Sequence, residues 1–371
     1  MDETGKTISV CKFGGSSFAN PDRYRAIARD LAERAQQGEA LVVVVSAPPG
    51  LTEDWRLRLT GICPHPSEET IAGLLPRADT VGAFLLQAAL DGIGMQSRVL
   101  TGAELGIVTD SNFCRARIRS VELGRLRRLL DEGRIVIVPG GQAVNEDLQL
   151  TWLGKNSSDL SAIAIAAALG TDHVDIHSDV EGIYSSDPGI VPDARLLGRV
   201  SACDAIAMSL AGAKVLHHGG VSRARQAGLA IRCRANTGDY RIGTTVGDAP
   251  PVRAVVPDAR SLVLAFADIA DQPKAVHALQ AAEVPTVVVD APDRNGSGMT
   301  VVVTCGFFDA AAFLANAGIR ARETGEKLLT VLDSGAIVHS LHRDVDALHA
   351  AARDQHRRLY APVANRDATA A

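Results

Sequence analysis

Short runs rich in Val, Ile and Leu alternate with longer amphipathic stretches along roughly the first 240 residues. This alternation is typical of a parallel sheet with helices on both faces, because buried parallel strands are apolar throughout and need helical crossovers. Strands are expected at residues 8–13, 41–46, 97–100, 135–139, 174–177 and 229–234. Helices are expected at residues 21–37, 79–91, 120–131, 159–169, 202–215 and 221–227. The pattern predicts an α/β fold whose ligands bind beyond the carboxyl ends of the strands.

A length of 371 residues suits two domains or three small ones, and the pattern of the chain changes around residues 238–252. Residues 238–252 concentrate Gly, Asp and Pro without a hydrophobic period. We therefore predict a catalytic domain over residues 1–246, a smaller α+β domain over residues 252–362 and a flexible tail over residues 363–371. Two βαββ units are expected in the smaller domain, with strands at 261–266, 286–290, 299–305, 327–332 and 336–340 and helices at 273–282, 309–317 and 345–356.

Composition argues against several classes of partner. The formal net charge of -5 provides no basic surface for nucleic acid or an anionic membrane. The acidic N-terminus has no apolar leader, and no apolar run approaches the roughly 20 residues of a membrane span, so a cytoplasmic protein is expected. The 6 cysteines include no CxxC pair, which favours reduced thiols over a disulfide framework or a zinc site.

The first expected strand runs directly into the segment KFGGSS at residues 12–17. Gly14 and Gly15 allow backbone amides to face an anion, Ser16 adds a hydroxyl, and Lys12 adds a cation. The lysine precedes the glycines, whereas a Walker loop has the order GxxxxGK[ST], so this is not a P-loop. The segment indicates a phosphate site, although a strand end with a tight turn explains it equally well.

Four further polar clusters follow expected strands or helices: Ser46 with Thr52; Lys155 and Asn156 with Ser158 and Asp159; Ser178 and Asp179 with Tyr184 and Asp187; and Lys214. Each has a structural alternative, since Ser46 can belong to a turn, Ser158 can cap a helix, and lysine is favoured at helix C-termini. A helix N-terminus also attracts anions, and a carboxylate-rich loop can accept hydrogen bonds from adenine or ribose. Each cluster has a structural explanation when it is taken singly, but five in this order along one α/β domain are much harder to explain in that way.

In this order the motifs resemble the amino-acid kinase family and, within it, the aspartokinases, over roughly residues 7–246. The matching segments are KFGGSS (12–17), VVVVSAPPGLTED (42–54), SNFCRARI (111–118), IVIVPGG (135–141), TWLGKNSSD (151–159), SDVEGIYSSDPGIVPDARLL (178–197) and GAKVLHHGGVSRARQAGLAIRCR (212–234). The resemblance implies a three-layer α/β/α kinase domain that transfers the γ-phosphoryl group of ATP, with Mg²⁺, to the side-chain carboxylate of L-aspartate. It also implies a C-terminal tandem of ACT-like units, usually regulatory, in a homodimeric enzyme of amino-acid biosynthesis.

The resemblance assigns roles to residues of this chain. The catalytic group would be Lys12, Asp159 and Lys214, with Lys12 stabilising the moving phosphoryl group, Asp159 orienting the lysines or the metal and Lys214 holding the β- and γ-phosphates. Nucleotide contacts would come from Gly14, Gly15, Ser16, Ser178, Asp179, Tyr184 and Asp187, and acceptor contacts from Ser46, Thr52, Lys155, Asn156 and Ser158. Mg²⁺ is expected to arrive with ATP and not to occupy a dedicated protein site.

Three positions depart from the family pattern. Ala83 replaces a glutamate expected to meet the α-amino group, Lys155 replaces an arginine expected on the α-carboxylate, and Gly189 replaces an arginine near the phosphates. Lysine offers a point charge in place of a bidentate contact. Glu104 or Asp110 could replace the glutamate that is missing at position 83. Arg195 could replace the arginine that is missing at position 189.

These departures leave the acceptor open. The enzyme phosphorylates either aspartate through altered contacts or a related or modified amino acid or dicarboxylic acid of a specialised pathway. A catalytically inactive kinase-fold binding protein and a kinase for a non-carboxylate acceptor are further alternatives. The departures at Ala83 and Gly189 favour the inactive protein, whereas the presence of four charged residues favours an active carboxylate kinase: Lys12, Asp159, Asp179 and Lys214.

Overall fold

A computed structural model describes residues 7–214, 216–289, 300–304 and 308–361. The chain divides into two compact units. The first contains the described residues up to Ile183, with Gly198–Ile206 and residues 216–249. The second contains Tyr184–Leu197, Ala207–Lys214 and the described residues from Pro250 onward. Within these ranges no helix is both long enough and apolar enough to cross a bilayer.

The part of the chain from Ile8 to Gly247 supplies the mainly parallel sheet. Its strands are β1 (Ile8–Phe13), β2 (Ala40–Val45), β3 (Ser97–Val99), β4 (Ile107–Thr109), β5 (Ile118–Val121), β6 (Ile135–Pro139), β7 (Gln142–Val144), β8 (Leu150–Trp152), β9 (His173–Ser178), β10 (Arg199–Ser201), β11 (Ala230–Ala235) and β12 (Ile242–Gly247). Its helices are α1 (Pro21–Gln36), α2 (Leu51–Ile62), α3 (Glu68–Leu74), α4 (Arg77–Asp91), α5 (Gly102–Leu105), α6 (Gly124–Asp131), α7 (Ser158–Leu169), α8 (Ala202–Leu210) and α9 (His218–Gln226), and a 3-10 turn covers Gly15–Phe18.

The main sheet has the order β10-β12-β11-β9-β1-β2-β6-β3 and is parallel except where β11 pairs with β12. The six strands expected from the sequence form its continuous stretch from β11 to β3, which confirms the mainly parallel α/β fold. The short strands β5-β4-β7-β8 form a separate sheet, which the hydrophobic pattern of the sequence did not predict.

Alternate residues of the central strands face different helices, as the two-residue period of a strand requires. Cys11 and Phe13 of β1 pack in one core with α1 and with Leu86 of α4. Val10, Val42 and Val44 are buried on the opposite face, and α7 contacts β1, β2 and β9. The sheet is therefore sandwiched between helices in three layers.

The central strands end level with one another. In the parallel register, Phe13 lies beside Val45 and His177, and Val45 lies beside Pro139. The loops that follow β1, β2, β6 and β9 consequently start at the same edge of the sheet, which is where an open α/β sheet binds its ligands.

The second unit contains two antiparallel sheets. Its strands are β13 (Arg253–Asp258), β14 (Leu262–Phe266), β15 (Thr286–Val289), β16 (Thr300–Val303), β17 (Ala321–Glu323), β18 (Lys327–Asp333) and β19 (Ala336–His342), and its helices are α10 (Asp271–Ala281), α11 (Ala310–Asn316) and α12 (Val345–Leu359). Sheet β15-β16-β14-β17 packs on α10 and α11, and sheet β13-β18-β19 packs on α12. These small sheets agree with the expected ACT-like architecture.

Several local predictions are wrong. Residues 120–131 do not form one helix, because Ile118–Val121 pair with β4 and α6 begins only at Gly124. The helix expected at 202–215 ends at Leu210, and residues 242–247, which lack periodicity, pair with β11. Strands β13 and β17 were not expected. Residues 290, 299 and 305 of two predicted strands, and the tail at 363–371, lie outside the described residues.

Candidate active site

Lys12 and Asp159 form an ion pair at the level strand ends. The Lys12 Nζ atom lies 2.7 Å from Asp159 Oδ1, and the two side chains are only 12% and 11% exposed. Lys12 comes from β1, whereas Asp159 lies in the first turn of α7, so the pair joins residues 147 positions apart. Two sequence-predicted catalytic residues are thereby brought together, with their charges opposed in a largely desolvated place.

Close packing leaves no room for a side chain at position 15, whereas position 14 is less restricted. A Cβ atom on Gly15 would lie 2.8 Å from the carbonyl oxygen of Ala47, and one on Gly14 would lie 3.4 Å from Lys12 Nζ. The Gly14 N–H donates to the carbonyl oxygen of His177 at 3.1 Å, so this amide already has an acceptor. Amide binding of an anion at this turn therefore depends on Gly15 and Ser16, the first residues of the 3-10 turn.

Asn236 holds the serines of the same turn, and sequence reasoning missed it. Its Nδ2 donates to Ser16 Oγ at 3.0 Å and to Ser17 Oγ at 3.1 Å, and its backbone N–H donates to the carbonyl oxygen of Ser178 at 2.8 Å. Asn236 follows β11, which ends at the same edge as β9. The sequence signal that could have identified Asn236 is its position, as a polar residue directly after β11.

The segment before α7 folds back tightly. Gly154 has φ +105 and Asn156 φ +62, and both values lie in the left-handed region, which Asn tolerates better than most residues. The Ser157 hydroxyl donates to the carbonyl oxygen of Gly154 at 2.5 Å. Ser158 is buried, while Lys155 and Asn156 are exposed at the turn. The field of Lys155 also lowers the pKa of Glu53 on α2, after the larger effect of the hydrogen bond from Arg56.

Ser46, Ser158 and Asp79 form a hydrogen-bonded chain. The Ser46 hydroxyl donates to Ser158 Oγ at 3.0 Å, and the Ser158 hydroxyl donates to Asp79 Oδ2 at 3.2 Å. The backbone N–H of Ala47 donates to Asp79 Oδ1 at 2.7 Å. Ser158 thus contacts, and Ser46 reaches through Ser158, a carboxylate that the sequence analysis had treated only as the start of a helix.

Burial raises the pKa of Asp79 to about 7. The Ala47 N–H, the Ser158 hydroxyl and the Lys12 ammonium lower this pKa without cancelling the effect of burial. Ala83, one turn further along α4, packs in the hydrophobic core and is fully buried. The carboxylate that α4 contributes to the site is therefore at position 79.

The two carboxylates proposed to replace the missing glutamate have local partners. Glu104 completes a capping box with Thr101 and lies 3.6 Å from Arg125. Asp110 accepts backbone hydrogen bonds from Asn112 and Arg117. Thr52 is partly buried in the first turn of α2, after the same loop that carries Ser46.

His177 lies beside the site as a neutral packing group. Its ring stacks on Phe13 with the centroids 4.3 Å apart, and burial lowers its pKa to about 4. A neutral imidazole among aromatic rings adds no charge to the site. Ser178, which follows it, donates its hydroxyl to the carbonyl oxygen of Val180, and Asp179 is exposed at the turn.

Tyr184, Asp187 and Lys214 belong to the second compact unit. Tyr184 bridges to Leu196, and Asp187 Oδ1 accepts from the Gly189 N–H at 2.8 Å. Within this unit the Arg195 guanidinium lies 4.4 Å from the centroid of the Tyr360 ring. The roles assigned to these residues stay predictions, including the convergence of Lys12 and Lys214 on one nucleotide.

Lys214 is exposed and follows Gly212, which packs on a buried carboxyl group in the second unit. Gly212 has φ +98, and a Cβ atom there would overlap the carboxyl group of Asp258. Asp258 is 2% exposed, and burial raises its pKa to about 6 against the lowering effects of the Arg260 N–H, the Arg260 guanidinium, Lys327 and Lys214. Gly212 thus fixes the course of the segment that carries Lys214.

We expect Gly212→Ala to lower the free energy of unfolding of the second unit by about 2 to 5 kcal/mol, because backbone strain adds to the overlap. Denaturant unfolding followed by circular dichroism measures the loss. Gly318→Ala is the matched control, since Gly318 also has positive φ but a Cβ atom added there would have no atom within 4 Å. Equal losses in both variants would show that Asp258 does not constrain position 212, and adding Asp258→Ala should recover part of the loss.

Comparisons with known proteins agree with this geometry. The sequence profile of the amino acid kinase family matches residues 7–234. The aspartokinase of Mycobacterium tuberculosis (strain ATCC 25618 / H37Rv) is 38% identical over 240 residues, which cover 64% of this chain and 57% of that protein. The aspartokinase of Geobacillus stearothermophilus is 37% identical over 239 residues, covering 64% of this chain and 58% of that protein. The chain thus spans less than two thirds of the length of these curated relatives.

Solved structures show the same fold. Aspartate kinase from Synechocystis aligns with a TM-score of 0.59 at 29% identity over 88% of this chain and 60% of that chain. E. coli aspartokinase III in complex with aspartate and ADP aligns with a TM-score of 0.71 at 19% identity over 88% of both chains, a likeness of fold alone. Because the family profile covers more than half of its length, the chain belongs to the amino acid kinase family.

Proposed function

We propose that this chain transfers the γ-phosphoryl group of ATP to the side-chain carboxylate of L-aspartate and forms 4-phospho-L-aspartate. The observation that carries the proposal is the Lys12–Asp159 ion pair at the level strand ends, within a chain of the amino acid kinase family. The aspartokinases among its relatives and structural neighbours support the choice of acceptor.

In phosphoryl transfer the protein mainly positions the two reactants and stabilises the charge of the transition state. In phosphoryl transfer the three equatorial oxygens of the moving group bear the charge, and a carboxylate attacks without prior deprotonation. Lys12 supplies the cation, and Asp159 holds its Nζ atom at the strand end while the reactants bind. The Gly15 and Ser16 amides would face the phosphates, and Ser46 and Ser158 would face the acceptor.

Several features of the proposal rest on the resemblance. Ser178, Asp179, Tyr184 and Asp187 would line the nucleotide pocket, Lys214 would hold the β- and γ-phosphates, and Thr52, Lys155 and Asn156 would meet the acceptor. Mg²⁺ would neutralise phosphate charge when bound with ATP, and the described residues include no cluster of three or more His, Cys, Asp or Glu placed to hold a metal ion by themselves. A cytoplasmic homodimer with ligand-binding C-terminal units completes the proposal.

A panel of acceptors tests the proposed function. The full chain is incubated with ATP, Mg²⁺ and each of L-aspartate, L-glutamate, succinate, N-acetyl-L-aspartate and L-homoserine, and ADP release is measured. Hydroxylamine converts an acyl phosphate to a hydroxamate, so we expect both ADP and hydroxamate with L-aspartate. ADP without hydroxamate would indicate a hydroxyl acceptor, and the absence of ADP with every acid would indicate an inactive binding protein.

A further inference from the structure

The segment Tyr184–Leu197 of the second unit carries two of the predicted nucleotide residues, Tyr184 and Asp187. Its two ends lie side by side, because the Ser185 N–H donates to the carbonyl oxygen of Arg195 at 2.8 Å. A ligand binds such a segment with an affinity that falls in proportion to the fraction of chains in the binding-competent conformation. The contacts that hold the segment therefore bear on nucleotide binding.

Apolar packing holds this segment against strand β13 and helix α12. Val191 is 3% exposed and lies in one hydrophobic cluster with Val255 of β13 and Leu348 of α12. The Val255 N–H also donates to the carbonyl oxygen of Ser185 at 2.7 Å. Because apolar contacts have no preferred direction, they keep the segment on α12 without fixing its exact position there.

A buried hydrogen bond between Ser185 and His356 supplies the direction. The Ser185 Oγ atom lies 2.9 Å from His356 Nε2, and the two residues are 0% and 2% exposed. The Arg195 N–H donates to the same serine oxygen at 2.8 Å. One hydroxyl group thus connects both ends of the segment to a side chain of α12.

The surroundings of His356 keep its ring neutral. Burial and the nearby Arg195 guanidinium lower the pKa of His356, and Asp193 raises this pKa without cancelling their effect. A neutral ring can accept the Ser185 proton at Nε2 while the serine oxygen accepts from the Arg195 N–H, so both functions of the hydroxyl are used. Among the described residues the Ser185 hydroxyl has no other acceptor, so loss of the imidazole leaves a buried proton unpaired.

The Tyr360 ring fixes the orientation of this imidazole. The centroid of the Tyr360 ring lies 4.7 Å from that of His356, and the Arg195 guanidinium lies 4.4 Å from the Tyr360 centroid. The Tyr360 hydroxyl donates to the carbonyl oxygen of Arg253, the first residue of β13, at 2.7 Å. Since the ring beside it is itself anchored, the imidazole presents Nε2 to Ser185 in one geometry.

We propose that His356 is a positioning residue for the nucleotide, because its hydrogen bond to Ser185 holds the segment Tyr184–Leu197 in the conformation that binds ATP. The inference rests on the proposed function, which assigns nucleotide contacts to Tyr184 and Asp187. His356 acts through Ser185 and does not itself contact the nucleotide. Its loss should therefore raise KM for ATP and leave kcat at saturating ATP within about threefold of the wild type.

Nucleotide binding by the full chain tests the proposal. Calorimetry measures the affinity for ADP with Mg²⁺, and ADP release with L-aspartate as acceptor measures kcat and KM for ATP. His356→Leu keeps an apolar side chain in the cavity but removes the hydrogen bond to Ser185. We expect this variant to bind ADP about five- to fiftyfold more weakly and to raise KM for ATP by the same factor, the range for a buried hydroxyl left without its partner.

Three further variants separate positioning from folding. His356→Gln keeps a polar atom near the place of Nε2 and should bind ADP within about threefold of the wild type. His339→Leu is the matched control, since it removes an imidazole contact to the Thr330 hydroxyl of the same length, 2.9 Å, between β18 and β19, and it should not change ADP affinity. Ser185→Ala should weaken ADP binding at least as much as His356→Leu, and combining the two should cause no further loss. Thermal melting shows which variants are folded at the assay temperature.

Each outcome decides between the two proposals. Wild-type ADP affinity in folded His356→Leu, or in folded Ser185→Ala if the leucine variant does not fold, overturns the role of His356 and leaves the kinase standing. Equal losses in the leucine and glutamine variants, or additive losses in the double variant, also overturn it, because the hydrogen bond would then not hold the segment. Weaker ADP binding in His356→Leu that is restored in His356→Gln supports the role, and if the wild type phosphorylates no acid, only the kinase is refuted. A wild-type chain that binds no ADP refutes both.

Discussion

Lys12→Met should reduce kcat for phosphoryl transfer by about 1000-fold or more, because it removes the cation placed to meet charge in the transition state. The same substitution leaves Asp159, whose side chain is 11% exposed, without its partner. An unpaired buried carboxylate lowers the free energy of unfolding by roughly 3 to 5 kcal/mol. Activity and stability should therefore both fall in the single variant.

A double variant separates the two effects. Lys12→Met with Asp159→Asn removes both charges, so most of the lost stability should return while kcat stays low. Lys274→Met is the control for loss of a lysine, since the side chain of Lys274 on α10 is exposed and pairs with nearby Asp271. Steady-state ADP release and denaturant unfolding measure the two quantities. ADP release near the wild-type rate in the stable double variant would show that Lys12 has no part in the transfer.

Gly140→Ala should have the second largest effect, because position 140 touches the start of α7. A Cβ atom there would lie 2.5 Å from Ser158 Cβ and 2.8 Å from its Cα, so a backbone segment must move. A displacement of about 1 Å at Ser158 and Asp159 is enough to lower kcat about 100-fold. Overpacking of this kind also lowers stability by about 1 to 3 kcal/mol.

Gly124→Ala is the matched control for this variant. Gly124 begins α6 and has no atom within 4 Å of an added Cβ, so alanine there should leave kcat unchanged and stabilise the helix slightly. Kinetics and thermal melting of the two variants provide the comparison. Wild-type kcat in Gly140→Ala would show that the position of the α7 N-terminus is not critical for turnover.

The parts of the fold that the sequence predicts are those set by local pattern. Strand β6 is apolar throughout and ends in a proline, and the mostly apolar β1 is followed by two glycines, so the bounds of both strands were predicted correctly. Strand β12 was missed because two glycines interrupt the apolar pattern of its sequence IGTTVG, and the strand is stabilised by pairing with β11. The helix expected at 120–131 was too long because the pairing of β5 with β4 overrides local preference.

The candidate site likewise contains some residues that the local sequence pattern predicted and others that it did not. Lys12 lies near the end of a predicted strand, and Asp159 lies at the start of a predicted helix. Their contact required only that the strand end and the helix start lie at the same edge of the sheet. Asp79 bonds to Ser158, which lies 79 positions away, and Asn236 bonds to serines that lie 219 and 220 positions away. No local spacing in the sequence could have predicted these contacts. The packing of Ala83 in the core likewise depends on how α4 rests on the sheet.

The level ends of β1, β2, β6 and β9 have a consequence for redesign of this scaffold. Each loop leaves the sheet at the same height and meets its neighbours only after the valine-rich interior has ended. A substitution in one connection can thus leave the register of the interior strands unchanged, but it must respect close contacts between connections such as that of Gly140 with Ser158. For the proposed kinase we expect the acceptor preference to change through substitutions in a few short connections, without rebuilding the layers beneath them.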